Sequence, residues 1–115
     1  MTLIFHKYLE MSKGCILNVS CTQGSRPNPG TIGYCMTKAG LEMLTKTSAL
    51  ELAPMGIRVN AVSPTTIDTN LYRYTGMSEL EYQQFKKRAA ANIPLQRNAT
   101  VEDVAKAIIF LTSEQ

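Results

Sequence analysis

Two short, nearly continuous apolar runs, residues 15–20 and 57–62, stand on either side of the strongest helical pattern in the chain, 31 to about 53. Strands of that character suit a parallel sheet covered on both faces. Within the helical pattern Met36, Ala39, Gly40, Met43, Leu44, Thr47 and Leu50 recur at three and four residues and make one apolar, small-residue stripe. Pro54 and Gly56 end it. Residues 1–11 read as the last turns of an earlier helix, with Leu3, Ile4, Tyr8 and Met11 at helical spacing and Ser12-Lys13-Gly14 as the break. Residues 22–30, rich in Gly, Pro, Ser and Asn, form a loop. Ser63-Pro64-Thr65-Thr66 turns the chain, and 66–77 shows no period. Ser78 with Glu81 forms a capping box opening a polar helix, 78–92, which Ile93-Pro94-Leu95 interrupts. Thr100 with Asp103 starts another helix, whose buried side is expected at Val101, Val104, Ala105, Ile108, Ile109 and Leu111. The order helix, strand, helix, strand, helix, helix is α/β alternation. Two parallel strands make a poor core, so the chain reads as a piece of a larger fold, with exposed apolar faces and poor solubility alone.

Composition narrows the function classes. At 115 residues the chain is one domain or part of one, and 44% hydrophobic with 18% charged residues is ordinary for a globular protein. A net charge of +3 without runs of like charge argues against a nucleic-acid surface. No apolar stretch approaches the roughly 20 residues of a membrane span, and the first residues lack the pattern of a signal peptide. Three cysteines without Cys-x-x-Cys spacing and a single histidine favour neither a disulfide framework nor a metal site. A reducing, cytoplasmic compartment is expected.

Chemistry concentrates at Tyr34-Cys-Met-Thr-Lys38. The tyrosine and lysine are four residues apart and so share one helical face. A phenol, with a pKa of about 10, is a poor proton donor or base near neutrality. A neighbouring ammonium favours the phenolate and brings that pKa toward the working range. Such a pair also arises on many solvated helices, so its flanks decide. Upstream a strand ends in Asn18-Val19-Ser20-Cys21, and downstream Arg58-Val59-Asn60-Ala61-Val62-Ser63-Pro64 begins another.

This ordered set resembles the short-chain dehydrogenase/reductase family from about Lys13 to Ser113. The Tyr-Cys-x-Thr-Lys wording and the Pro64-Thr65 step are most similar to its dicarbonyl/L-xylulose reductase and carbonyl reductase subgroup. The resemblance implies an α/β fold, a partial Rossmann-type doubly wound parallel sheet, in which residues 1–115 form one partial NAD(P)-binding domain. It implies the C-terminal half of an enzyme, because the family's glycine-rich dinucleotide turn, its Asn-Asn-Ala-Gly stretch, its catalytic asparagine and its final strand have no counterpart here. NADP or NAD is the implied cofactor, and a small-molecule carbonyl or secondary alcohol the implied substrate.

By the same resemblance Tyr34 is the general acid/base, and Lys38 lowers the phenol pKa and holds the nicotinamide ribose. Cys21 lies thirteen residues before Tyr34, where the family has a serine that orients the substrate carbonyl; Gly24 supports the register. A thiol is a weaker donor and a larger atom than a hydroxyl. Cys21 is therefore either a tuned substrate-site residue or the mark of a site released from catalytic constraint. Ser20, next door, is expected on the opposite face of the extended chain. A nucleophilic Cys21 is disfavoured, since no histidine stands nearby in the sequence to activate it. The cofactor contacts implied are Tyr34, Lys38, Pro64, Thr65, the Ile67 backbone and the Thr69 hydroxyl, with Asn60 structural and 71–77 a substrate lid carrying Tyr72, Arg73 and Tyr74. The family also pairs the Tyr34 helix across a homo-oligomer interface. The alternative is an inactive fragment or interaction module without dinucleotide binding, which docks through Met36, Met43 and Leu50.

Overall fold

The computed structural model describes residues 2–71 and 76–113. Its elements are α1 (Thr2–Ser12), β1 (Cys15–Val19), α2 (Ile32–Leu52), β2 (Arg58–Val62), α3 (Glu79–Ala91) and α4 (Val101–Thr112), with single 3-10 turns at Thr22–Gly24 and Ala53–Met55. Tyr72, Arg73 and Tyr74 of the expected lid lie outside the described residues. The expected α/β alternation is observed.

β1 and β2 pair in parallel, with Cys15 opposite Arg58 through Val19 opposite Val62. The ladder runs past both ends. Arg58 N–H donates to Gly14 O (3.2 Å), Ser20 N–H to Val62 O (2.8 Å) and Thr22 N–H to Pro64 O (3.2 Å). Upstream, α1 stops because Lys13 takes a left-handed conformation (φ 50°). Gly14 N–H then reaches back to Leu9 O (2.9 Å) and Lys13 N–H to Glu10 O (3.3 Å), the paired bonds of a Schellman ending. Lys13 Nζ donates to Met55 O (3.0 Å), tying together the loops that feed the two strands. Gly56 sits at φ 74°, in the left-handed region that favours glycine.

The crossover helix α2 turns Lys38, Leu41, Glu42 and Thr45 toward the sheet. Thr45 is buried and accepts a hydrogen bond from Asn18 Nδ2 (2.9 Å) in the middle of β1. The apolar stripe faces the other way, with Met36 69%, Met43 61% and Leu50 80% exposed. Helix α4 lies against both strands, its last carbonyls held by the Arg58 guanidinium through Nη1 to Leu111 O (2.8 Å) and Nη2 to Ser113 O (3.0 Å). Val104, Ala105, Ile108 and Leu111 are half-buried there. Val101 and Ile109, expected on the buried side, are 54% and 66% exposed, because a sheet of two strands is too narrow to cover the whole apolar face. Among the described residues only Ile57, Val59, Tyr82, Ser20 and Thr45 are buried. The radius of gyration, 16.6 Å, exceeds the roughly 13 Å of a closed domain this size. The exposed apolar faces expected from the sequence are present.

α3 and α4 each open on the capping box read from the sequence. Ser78 Oγ accepts from Glu81 N–H while Glu81 Oε2 accepts from Ser78 N–H, and Thr100 and Asp103 do the same. Arg97 donates to Asp103 Oδ2 (2.6 Å), and this bond, with the Thr100 backbone N–H, holds the Asp103 carboxyl well below the usual carboxylate range. A depressed carboxyl contributes stability that is whole above its unfolded pKa of about 4 and is lost as pH falls toward the folded value. Far-UV circular dichroism should therefore show helix loss as pH falls below about 4, and Asp103→Asn should flatten that limb. Thr100→Ala should lower stability by about 1 kcal/mol in urea titrations.

Candidate active site

The expected catalytic residues converge on the carboxyl ends of the two strands, where open α/β sheets bind ligands. Lys38 sits one helical turn beyond Tyr34. Its ammonium lies 5.6 Å from the centroid of the Tyr34 ring and donates to Val19 O (2.9 Å), the last carbonyl of β1. Tyr34 as a residue is 46% exposed. An ammonium has three donors. The bond to Val19 directs Lys38 at the strand end.

Cys21 lies two residues beyond Val19, the last residue of β1. Its backbone is extended (φ −157°, ψ 154°), and its carbonyl accepts from Gly24 N–H (2.8 Å), closing the 3-10 turn Thr22–Gly24. That turn presses on α2. A Cβ on Gly24 would lie 2.6 Å from Glu42 Oε1 and 3.1 Å from Lys38 C, so glycine is needed for the close approach. Thr22 N–H to Pro64 O then ties the Cys21 turn to the turn after β2. Ser20 is buried, with its hydroxyl on Glu42 Oε1 (3.2 Å) and near Lys38 O (3.5 Å). Cys21 is half-buried, and it carries the free thiol nearest in sequence to the strand end.

The segment after Pro64 is held by a contact that no sequence period announced. Ile67 forms a parallel bridge with Ala99, through Ala99 N–H to Thr66 O and Asp68 N–H to Ala99 O, both 3.1 Å. In an extended chain this directs the N–H and C=O of Ile67 away from Ala99, which fits a backbone contact to a carboxamide. Thr69 Oγ1 accepts from Leu71 N–H (3.3 Å). The buried Tyr82 donates to Thr69 O (2.9 Å) and Asp68 Oδ1 (3.1 Å), fastening α3 to this segment. The hydrogen-bonded Lys86 ammonium holds the Asp68 carboxyl below its ordinary value, and Asp68 raises Lys86 in return. The Lys38 ammonium and the Ile67 backbone are groups of the kind that could hold a nicotinamide dinucleotide.

Two open clefts flank this face. One, of about 400 Å³, lies between Thr69 and α3 and is lined by Asp68, Asn70, Tyr82 and Lys86. The other, of about 290 Å³, lies against Cys35 and Gln23. Tyr34, Lys38 and Cys21 line neither. Among the described residues no group of three or more His, Cys, Asp or Glu side chains is placed to hold a metal ion, and no helix is long and apolar enough to cross a membrane. Glu42, Ser63 and Tyr82 were missed in the sequence. The only signal for Glu42 was its position four residues beyond Lys38 on the same helical face.

A family profile described as enoyl-(acyl carrier protein) reductase matches residues 2–115. The 3-oxoacyl-(acyl-carrier-protein) reductase of Thermotoga maritima is 40% identical over 107 residues, covering 93% of this chain and 41% of that protein. Human L-xylulose reductase is 43% identical over 104 residues, covering 89% of this chain and 40% of that protein. The solved structure of ElxO with NADP bound matches with a TM-score of 0.85 at 33% identity, covering 99% of this chain and 45% of the other. The chain thus spans about two fifths of the length of the curated relatives it matches. Its parallel strands and flanking helices form part of a Rossmann-type doubly wound sheet. On the match along residues 2–115 and on relatives at 40% identity and above, the chain belongs to the short-chain dehydrogenase/reductase family.

Proposed function

We propose that the chain is one partial NAD(P)-binding domain carrying the reaction half of an oxidoreductase that interconverts a small-molecule carbonyl and a secondary alcohol. The observation that supports this most is the stacking of Tyr34 and Lys38 over the carboxyl ends of the parallel strands, with the ammonium 5.6 Å from the ring. NADP or NAD, when bound, supplies or accepts the hydride. In reduction, the Tyr34 hydroxyl gives its proton to the carbonyl oxygen; in oxidation the phenolate takes it back. Lys38 favours the phenolate by its charge and holds the ribose. Pro64, Thr65 and the Ile67 backbone would hold the nicotinamide end of the cofactor, and the Thr69 hydroxyl its pyrophosphate. Cys21 faces the substrate oxygen as a weak donor, so the rate is limited by poor stabilisation of the developing oxyanion. The reading is of a protein in a reducing, cytoplasmic setting, without a nucleic-acid partner.

The exposed Met36, Met43 and Leu50 support a further part of the reading, that α2 pairs with another copy. An exposed apolar face of this kind marks an interaction surface. The same face serves the alternative, a binding module without dinucleotide.

Titration with NADPH and NADH separates the two. Micromolar binding is expected, and no binding at millimolar cofactor would overturn the oxidoreductase reading. Tyr34→Phe should lower turnover by roughly a hundredfold to ten-thousandfold. Cys21→Ser should raise turnover by roughly one to three orders of magnitude, by restoring a strong donor. Met43→Glu with Leu50→Glu should convert the associated chain to monomer in sedimentation velocity; association unchanged by the pair would place the contact elsewhere.

A further inference from the structure

The carboxylate of Glu42 joins three elements through a single oxygen. Oε1 accepts a hydrogen bond from Ser20 Oγ and another from Ser63 Oγ, each at 3.2 Å, and the glycine at position 24 leaves the space it occupies. Ser20 is 3% exposed, so its hydroxyl needs a partner, and Glu42 is the strongest acceptor in reach. The two serines are not arbitrary. Ser20 immediately precedes Cys21 and Ser63 immediately precedes Pro64. Each sits where its strand has just ended, beyond the last paired residues Val19 and Val62. The body of the sheet is held otherwise, by the ladder itself and by Asn18 Nδ2 on Thr45 Oγ1.

We propose that Glu42 is a positioning residue for the hydride transfer: it clamps the Cys21 turn and the Pro64 step at a fixed spacing beneath Lys38. The inference rests on the roles assigned above to Cys21 and Pro64. An ionised carboxylate suits the task because one oxygen has lone pairs for both hydroxyls and its charge strengthens each bond. Lys38 and Glu42 are successive turns of one rigid helix. Lys38 Nζ grips the end of β1 while Glu42 grips the residue after each strand, so the ammonium, the thiol turn and the cofactor-facing step share one reference frame.

The three free cysteines allow a test that needs no dinucleotide. The 115-residue chain and its variants are treated with iodoacetamide under native conditions, and labelling of each cysteine is followed by peptide mass. Cys21 reports the clamped turn, and Cys15, at the opposite end of β1, reports the sheet. Glu42→Ala and Ser63→Ala should each accelerate Cys21 labelling roughly tenfold, the effect of releasing a local contact, with Cys15 unchanged. Glu42→Gln, which keeps an acceptor oxygen, should recover most of the protection. The clamp is overturned if Cys15 and Cys21 accelerate together in both variants, if Cys21 does not respond, or if the wild-type cysteines already label at the rate of a urea-denatured control. A chain that binds no cofactor yet shows the selective Cys21 response would keep the clamp and lose only the oxidoreductase reading.

Discussion

Parallel pairing of β1 with β2 sets the terms for everything else. No tight turn can join parallel strands, so between Val19 and Arg58 the chain must travel back along the sheet, and α2 with 21 residues makes that journey. A helix that returns antiparallel to its strands starts over their carboxyl ends and finishes over their amino ends. Both ends are fastened accordingly. Near its start Lys38 reaches Val19 O, and past its finish Met55 O accepts from Lys13, just ahead of β1. Successive turns at the beginning of α2 therefore deliver Tyr34, Lys38 and Glu42 to the strand ends, while Gly24 lets the turn after β1 come within contact of the helix. The arrangement of the candidate site follows from the crossover.

The parts of this fold legible in the sequence are those with local causes. Capping boxes at Ser78 and Thr100 need only residues three apart, and both helices begin where those residues put them. The strands needed only short apolar runs bounded by breakers, and their observed limits differ from the reading by a single residue. Tyr34 and Lys38 were visible as a pair because a helix turns spacing into proximity. What escaped the reading depends on residues far apart in the chain. The bridge of Ile67 to Ala99 joins two irregular segments, and neither carries a period. Arg58 looked like an ordinary strand residue, yet its guanidinium collects the last carbonyls of α4, more than fifty positions away. Glu42 needed both serines, from different strands, to become more than a charge on a helix. The extent of α4 burial was overestimated for a related reason: amphipathic spacing tells which face is apolar, and the breadth of the surface opposite decides how much of it is covered.

Helix α2 shows how the site and the exposed surface are linked. A crossover helix ordinarily turns its apolar side to the sheet. Here the inward side carries Lys38, Glu42 and Thr45 beside Leu41, the three polar residues each hydrogen-bonded to a strand or to the residue just after one, and the outward side carries Met36, Met43, Leu44 and Leu50. The inward polarity has a chemical cause, because an ammonium and a carboxylate that reach the strand ends must stand on the side facing them. Burying large apolar side chains stabilises by about 1.5–3 kcal/mol each, so four of them left in water amount to a substantial unrealised contribution. A sheet of two strands with few buried residues cannot compensate for it. Placing the polar machinery on the inner face thus moves the apolar face to the outside, and stability then depends on covering that face with another surface. On this argument the apolar stripe is a consequence of the same constraint that aligns Tyr34 with Lys38.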